Sequence, residues 1–353
     1  MFSPSFLHEL ASGQRRRIGA SLLRGVLAAM ELPVAWYVRR KNRAFDEGRA
    51  KVHRVDAPVI SVGNLTAGGT GKTPMVEWIA RRLLDQGKHV VLISRGYGAA
   101  RYRVNDEAME LSAKLPDVPH WQNADRVAAA RLMVEQYPGS VLLLDDAFQH
   151  RRLHRDLDIV LLDALCPFGY ERLIPRGFLR EPVEGLKRAQ AVVLSRANLV
   201  DEATRAAIRS RVAHIAPQAT WSEAVHAPRE LRSYSGEIRS LDWLRGKGIA
   251  AFCGLGNPAG FRRTLESLDA EIVAWREFED HTPYNRGLIA LLDRWSHECS
   301  ADAVICTHKD LVKIPREALG GKPLLALVVG IQFTQGEARV SELIEGIGNT
   351  NLR

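Results

Sequence analysis

The chain reads as an α/β protein on three observations. A β-branched strand, Val59-Ile-Ser-Val62, runs straight into a glycine-rich loop ending Gly71-Lys72-Thr73. Short apolar runs then alternate with longer amphipathic ones, the pattern of a mostly parallel sheet covered by helices. The same style resumes after a region rich in glycine, proline and charge around 226–248. Together these predict a P-loop NTPase-like three-layer α/β/α core with a second smaller α/β domain, divided as an arm over 1–54, a core over 55–225 and a second domain over 226–353 that closes the active-site cleft.

The elements follow in order. Strands are expected at 59–62, 90–93, 141–144, 159–162 and 192–194, and helices near 73–86, 125–137 and 201–214. In the second domain, strands at 249–252, 304–306 and 324–328 alternate with helices at 258–268 and 285–298. Met75, Ile79, Leu83 and Leu84 give the first core helix its apolar stripe. At 353 residues the chain has ample length for two α/β units, and 46% hydrophobic with 25% charged residues excludes a disordered chain. The four cysteines are scattered without a C-x-x-C pair, which argues against both a zinc cluster and a disulfide framework.

The loop carries the chemistry. Backbone N–H groups over Thr66, Ala67, Gly68, Gly69, Thr70 and Gly71, with the positive end of the following helix, form a cradle for phosphate oxygens. Lys72 is placed to reach the β- and γ-phosphates and the Thr73 hydroxyl to ligate Mg²⁺. Thr66 stands where the usual pattern has glycine; Gly68 and Gly69 can supply the backbone freedom instead. A metal partner is expected from a buried strand ending in acid, and Val141-Leu-Leu-Leu-Asp145-Asp146 has that form. Ile159-Val-Leu-Leu-Asp163 is a rival, ranked second because only the first is followed by a dense polar run, Phe148-Gln-His-Arg-Arg152.

The net charge of +8 is concentrated at the front. Residues 1–54 hold eleven Arg/Lys and four acids, leaving +7 there and +1 in the rest. Among these charges lies an apolar run from Ile18 to Val38, interrupted by Arg24, Glu31 and Pro33. The interruptions argue against a membrane span and favour a cationic helix lying in the headgroup region, with Trp36 and Tyr37 at the interface. A helix docked on the domain and a nucleic-acid-binding arm are the alternatives.

Several motifs in one order amount to a resemblance. Gly63-Asn-Leu-Thr-Ala-Gly-Gly-Thr-Gly-Lys-Thr-Pro74, Ser94-Arg-Gly-Tyr-Gly98, Asp145-Asp-Ala-Phe-Gln-His150 and Leu173-Ile-Pro-Arg-Gly-Phe-Leu-Arg-Glu-Pro182 together resemble the tetraacyldisaccharide 4′-kinase family. Gly254-Leu-Gly-Asn-Pro258, Phe278-Glu-Asp-His281 and Thr307-His-Lys-Asp310 extend it. That resemblance implies an ATP- and Mg²⁺-dependent kinase acting on the lipid A disaccharide precursor at the cytoplasmic face of the inner membrane, as a peripheral or monotopic protein on an anionic surface, with no nucleic-acid partner. It implies Asp106 as general base, Glu107 near the metal and His281 as partner of the base. Asn105-Asp-Glu-Ala108 stands where the family has Gly-Asp-Glu-Pro, and Ala147 replaces a glycine after the acid pair. The substrate is itself a phosphate-bearing anion, so Arg95, Arg126 and Arg180, with His150, are expected to contact it.

Two other functions share the loop. A switch GTPase or metallocentre-insertion protein also pairs a phosphate loop with an acid at a strand end, but Thr307-His-Lys-Asp310 carries its lysine one place too late for guanine recognition. A soluble small-metabolite kinase would leave the basic apolar arm unexplained.

Overall fold

The computed structural model describes residues 4–96, 106–255, 258–280 and 282–348. In chain order the helices and strands begin with α1 (Pro4–Ser12), α2 (Ile18–Asp46), β1 (Val59–Asn64), α3 (Lys72–Asp85), β2 (Val90–Ser94) and α4 (Asp106–Lys114). Next come β3 (His120–Gln122), α5 (Arg126–Gln136), β4 (Val141–Asp145), β5 (Leu157–Asp163), β6 (Ala191–Ser195) and α6 (Glu202–Ile215). The remainder is β7 (Thr220–Arg232), β8 (Ile238–Arg239), β9 (Gly248–Cys253), α7 (Pro258–Glu266), β10 (Glu271–Glu277) and α8 (Arg286–Glu298), then β11 (Ala303–Thr307), α9 (His308–Leu311), β12 (Ala318–Leu319), β13 (Lys322–Gln335) and α10 (Glu337–Gly348).

The chain divides into two compact units. Unit 1 comprises 1–97, 115–226 and 331–353; unit 2 comprises 98–114 and 227–330. Two of these segments differ from the expected order of domains: 98–114 lies in unit 2, and the C-terminal segment from 331 returns to unit 1.

Unit 1 is a parallel sheet in which β1 sits between β4 and β5, with β2 and then β3 beyond β4 and with β6 and then the first residues of β7 beyond β5. All six residues of β1 are buried, as a central strand covered on both faces must be. On one face Val59, Val91, Ile93, Leu142 and Leu144 pack with Val127, Ala130 and Met133 of α5. Farther along, Val160, Leu162, Val192 and Leu194 pack with Ile208 and Val212 of α6. The alternate residues Ile60, Val62 and Leu143 are equally buried. Over the sheet lie α3, in contact with β1, β2 and β4, and α10, in contact with α3 and β5.

At the end of β1 the turn after β4 crosses so closely that a Cβ on Gly63 would lie 2.6 Å from Phe148 Cβ and 2.9 Å from its backbone nitrogen. Glycine is what lets the acid-bearing turn lie against the strand that leads into the loop.

Helix α2 is continuous across the residues read as interruptions. Pro33 is exposed, so the backbone hydrogen bond it cannot make is lost on the exposed side of the helix and the docked side is undisturbed. Glu31 faces inward: it is 8% exposed and its carboxylate accepts from the Leu173 backbone N–H at 2.7 Å. Ala35 joins the buried cluster of unit 1, Asn42 donates to Glu181 at 3.0 Å, and Arg151 donates to the Asn42 carbonyl and to Asp46. One face of α2 is therefore docked through polar groups. The opposite face leaves Ile18, Leu22, Val26, Met30, Trp36 and Tyr37 exposed. By length and composition α2 is long and apolar enough to cross a membrane.

Unit 2 contains a smaller parallel sheet in the order β10, β9, β11, β13. Ile249, Ala251, Ile305 and Leu325 pack with Phe261 and Leu265 of α7, while Phe252, Val304, Cys306 and Leu324 pack with Leu292 of α8. The period-two alternation along each strand divides the two faces.

Two outcomes test this packing. Gly63→Ala forces a methyl into the Phe148 backbone and is expected to cost about 1–3 kcal/mol of stability in urea unfolding. Burial holds the His120 ring down to about 4 from the ordinary 6.5. The unfolded chain binds more protons between those values, so the contribution of neutral His120 is complete above the ordinary value and is lost as pH falls toward the folded one. The melting temperature is expected to drop over that interval, and His120→Gln to flatten the drop; an unaltered slope would assign the acid sensitivity to other groups.

Candidate active site

The segment expected to form the phosphate loop joins β1 to α3 in unit 1. Gly68 and Gly71 both take left-handed backbone, with φ of 116° and 86°, and Gly71 is the N-cap from which α3 begins at Lys72. Thr66 needs no such freedom. It bridges Leu179, while the Ala67 N–H donates to the Phe178 carbonyl at 2.7 Å and the Arg180 N–H to the Leu65 carbonyl at 2.7 Å. The segment 173–180 is thus a backrest for the loop, and this pairing explains why a β-branched residue replaces glycine at 66. Inside the loop, Asn64 Nδ2 donates to Thr70 Oγ1 at 3.0 Å, and Asn64 is itself fully buried. Gly71 is also sterically fixed, because a Cβ there would sit 2.2 Å from His226 Nε2.

The two acids stand at the end of β4, where register pairs Asp145 with Val62 of β1. Asp145 is 5% exposed. Asp146 has φ 51°, a left-handed conformation that directs its carboxylate away from the strand. Lys72 Nζ lies 3.5 Å from Asp146 Oδ1, and Arg180 grips both carboxylate oxygens at 2.7 and 2.8 Å. Burial works against ionisation of Asp146, but Lys72 and Arg180 outweigh it and hold the carboxyl below the usual range.

The rival acid is otherwise engaged. Asp163 is ion-paired with Arg196, whose guanidinium also donates to the Gly69 carbonyl at 2.8 Å, and its other oxygen caps Leu165 N–H at 3.1 Å. Arg196 adopts a left-handed conformation with φ 56° to make this contact. Nothing in the sequence around Arg196 signals that role.

Around the acids, Arg126 is 2% exposed and donates to the Asn123 and Ala124 carbonyls, and its Nε has no hydrogen-bond partner among the described residues. Burial lowers its pKa, opposed by the Asp146 and Asp145 charges and reinforced by Arg95. Burial, with Arg126 and Arg152, pushes His150 to about 4, so its ring is neutral at physiological pH. Its Nε2 is buried and likewise has no partner among the described residues. Arg95 is exposed at the end of β2. Lys72, Thr73, Asp145, Asp146, Arg126, His150 and Arg180 all belong to unit 1.

The remaining expectations fall in unit 2. Asp106 opens α4, where a carboxylate meets the positive end of the helix, and its Oδ2 lies 2.7 Å from Lys313 Nζ. Glu107 follows it in α4. His281, and Asn257 of the Gly254-Leu-Gly-Asn-Pro258 segment, lie outside the described residues. Asp310 of the Thr-His-Lys-Asp segment is completely buried, accepting from Gly254 N–H at 3.0 Å and Thr307 Oγ1 at 2.6 Å. Both bonds go to Oδ2, and the carboxylate has no exposed surface to offer a guanine edge.

Mg²⁺ fits the donor set. Thr73, Asp145 and Asp146 offer hard oxygens, and the described residues hold no group of three or more His, Cys, Asp or Glu that could hold a metal alone. Such a sparse set suits an ion that shares its shell with nucleotide phosphates.

Known proteins resemble this chain over most of its length. The tetraacyldisaccharide 4′-kinase of Halothermothrix orenii is 35% identical over 341 residues, covering 89% of this chain and 88% of its own. That of Geobacter sulfurreducens is 36% identical over 349 residues, covering 93% and 95%. The crystal structure of LpxK from Aquifex aeolicus in complex with ATP matches with a TM-score of 0.73 at 28% identity, covering 92% of this chain and 99% of that one. The family described as tetraacyldisaccharide-1-P 4′-kinase matches residues 23–347, from within α2 to the last turn of α10, and the chain belongs to that family.

Proposed function

We propose that this protein transfers the γ-phosphoryl group of ATP to the 4′-hydroxyl of a tetraacylated glucosamine disaccharide 1-phosphate, a step of lipid A biosynthesis. The observation that carries the reading is the phosphate loop with Lys72 at the first position of α3, ion-paired to an acid at the end of the neighbouring strand.

In this reading the loop amides from Gly68 to Thr73 hold the β- and γ-phosphates and Lys72 offsets their charge. Thr73 with Asp145 and Asp146 would hold Mg²⁺, which when bound neutralises charge on the β- and γ-oxygens. Lys72 and Arg180 keep Asp146 ionised and oriented for that task. A sugar hydroxyl has a high pKa, so a carboxylate that takes its proton as the new P–O bond forms lowers the barrier. Asp106 is assigned that role, with His281 as its partner and Glu107 close to the metal. The acceptor already carries one phosphate. Arg126 and His150 have buried nitrogen atoms without partners among the described residues, and Arg95 is exposed, which supports these three as its contacts. Arg180 serves through Asp146 as well.

The acceptor is a membrane lipid, and the exposed side of α2 suits a membrane surface. Its apolar positions run from Ile18 to Tyr37, about 28 Å at the α-helical rise. Arg15, Arg16 and Arg17 precede them and Arg39, Arg40 and Arg43 follow, the arrangement of a helix lying among anionic headgroups. The assignment is peripheral or monotopic attachment at the cytoplasmic face of the inner membrane, where ATP is available.

Transfer of labelled phosphate from ATP to detergent-dispersed tetraacyldisaccharide 1-phosphate tests the activity, with GTP as the control nucleotide. Lys72→Ala is expected to lower kcat/KM by on the order of 10²–10³-fold. Asp106→Asn is expected to lower kcat by on the order of 10²–10⁴-fold with smaller changes in KM. Near-normal turnover in the first variant would remove the cradle, and a pure KM effect in the second would move the base elsewhere. For the membrane arm, exchanging Leu22, Val26 and Met30 for glutamate leaves the docked face intact. It is expected to lower binding to vesicles containing anionic lipid by at least about tenfold while ATP affinity stays unchanged. Equal sedimentation with vesicles would refute the arm.

A further inference from the structure

The Thr307-His-Lys-Asp310 turn has no role in the reaction as described so far, yet it is firmly built. Thr307 caps α9 through its hydroxyl, and Asp310, fully buried, ties the turn to Gly254. This turn lies against α4, the helix that Asp106 opens.

Two lysines, Lys309 in this turn and Lys313 just after it, reach the segments that carry the proposed base and its partner. Lys309 Nζ meets Asp280 Oδ1 at 2.7 Å. Lys313 Nζ meets Asp106 Oδ2 at 2.7 Å and donates to the Thr282 carbonyl at 3.4 Å, with the Tyr284 ring centre 5.8 Å away. Asp280 and Thr282 are the chain neighbours of position 281 on either side. The stretch 307–313 therefore holds Asp106, Asp280 and Thr282.

Burial separates this pair from an ordinary surface bridge. The Lys313 side chain is 9% exposed, whereas both partners of the surface pair Arg262–Glu266 are about half exposed. A desolvated ammonium is costly unless its donors are met, and here a carboxylate, a carbonyl and an aromatic face meet them. The docking of α4 has anchors of its own in the buried side chains of Ala108 and Leu111. The Lys313–Asp106 contact is therefore not needed simply to seat the helix.

We propose that Lys313 is a positioning residue for phosphoryl transfer, holding the Asp106 carboxylate in its reactive orientation and, with Lys309, fixing the chain on both sides of His281. The inference rests on the reading of Asp106 as the base. A carboxylate at a helix tip samples several rotamers, and restricting it to one raises the fraction of encounters in which it can accept the acceptor's proton.

A double-mutant cycle in the full-length protein tests this, with kcat and both KM values measured on ATP and dispersed tetraacyldisaccharide 1-phosphate. Lys313→Met keeps volume and removes the charge; kcat is expected to fall on the order of 10²-fold with each KM altered less than about threefold. In an Asp106→Asn background the same change is expected to cost less than about twofold, because its effect passes through a carboxylate no longer present. An equal loss in both backgrounds, or a kcat unaffected in the native background, overturns the proposal. If Asp106→Asn alone retains normal turnover, it is the base assignment that fails. Should the methionine variant not fold, Lys313→Gln carries the same cycle, with ATP affinity as the check that unit 1 is intact.

Discussion

A left-handed turn at Gly71 sets the geometry on which the site in unit 1 depends. Any side chain there would be strained in its backbone and would crowd the His226 ring, so the position calls for glycine. From it α3 starts, with Lys72 in its first turn near Asp146, the acid that follows β4. The contact between Lys72 and Asp146 in turn depends on Gly63, which lets the acid-bearing turn approach β1. Two glycines of different kinds, one needed for dihedral freedom and one for proximity, thus bring a cation and an anion together at the mouth of the sheet.

Charged groups inside this protein are handled in pairs. Arg155 and Asp158 are both largely buried and held at 2.9 Å, and Arg188 covers Glu181, which α2 also reaches through Asn42. Such pairs add little net stability, since desolvation offsets their attraction, but removing one partner strands the other. Their value is in orientation. The same logic applies where chemistry is expected, at Asp146 between Lys72 and Arg180 and at Asp106 beside Lys313.

Much of this was legible in the sequence because burial on both faces leaves a plain signature. The central strands β1, β4, β5 and β6 are continuous apolar runs, and each was found within a few residues of its observed limits. Strands β7 and β10 were not legible: both are partly exposed and mix charge with apolar residues, and β7 contains Pro228. In α2 one of the residues read as a break, Glu31, proved to be a means of attachment, since a glutamate reads the same in a sequence whether it faces water or a backbone amide. The phosphate loop and its acid pair were readable from residue type and spacing. The contributions of Gly63, Arg196 and Lys313 depend on contacts between residues distant in sequence, and local pattern carries no information about those.

The order in which the units are threaded has a consequence for biogenesis. Helix α10 is translated after the whole of 227–330, yet it packs on α3 and β5. During elongation α3 therefore has one flank uncovered until unit 2 has been synthesised and the chain has come back. A nascent chain paused before Glu337 would leave that flank open to solvent.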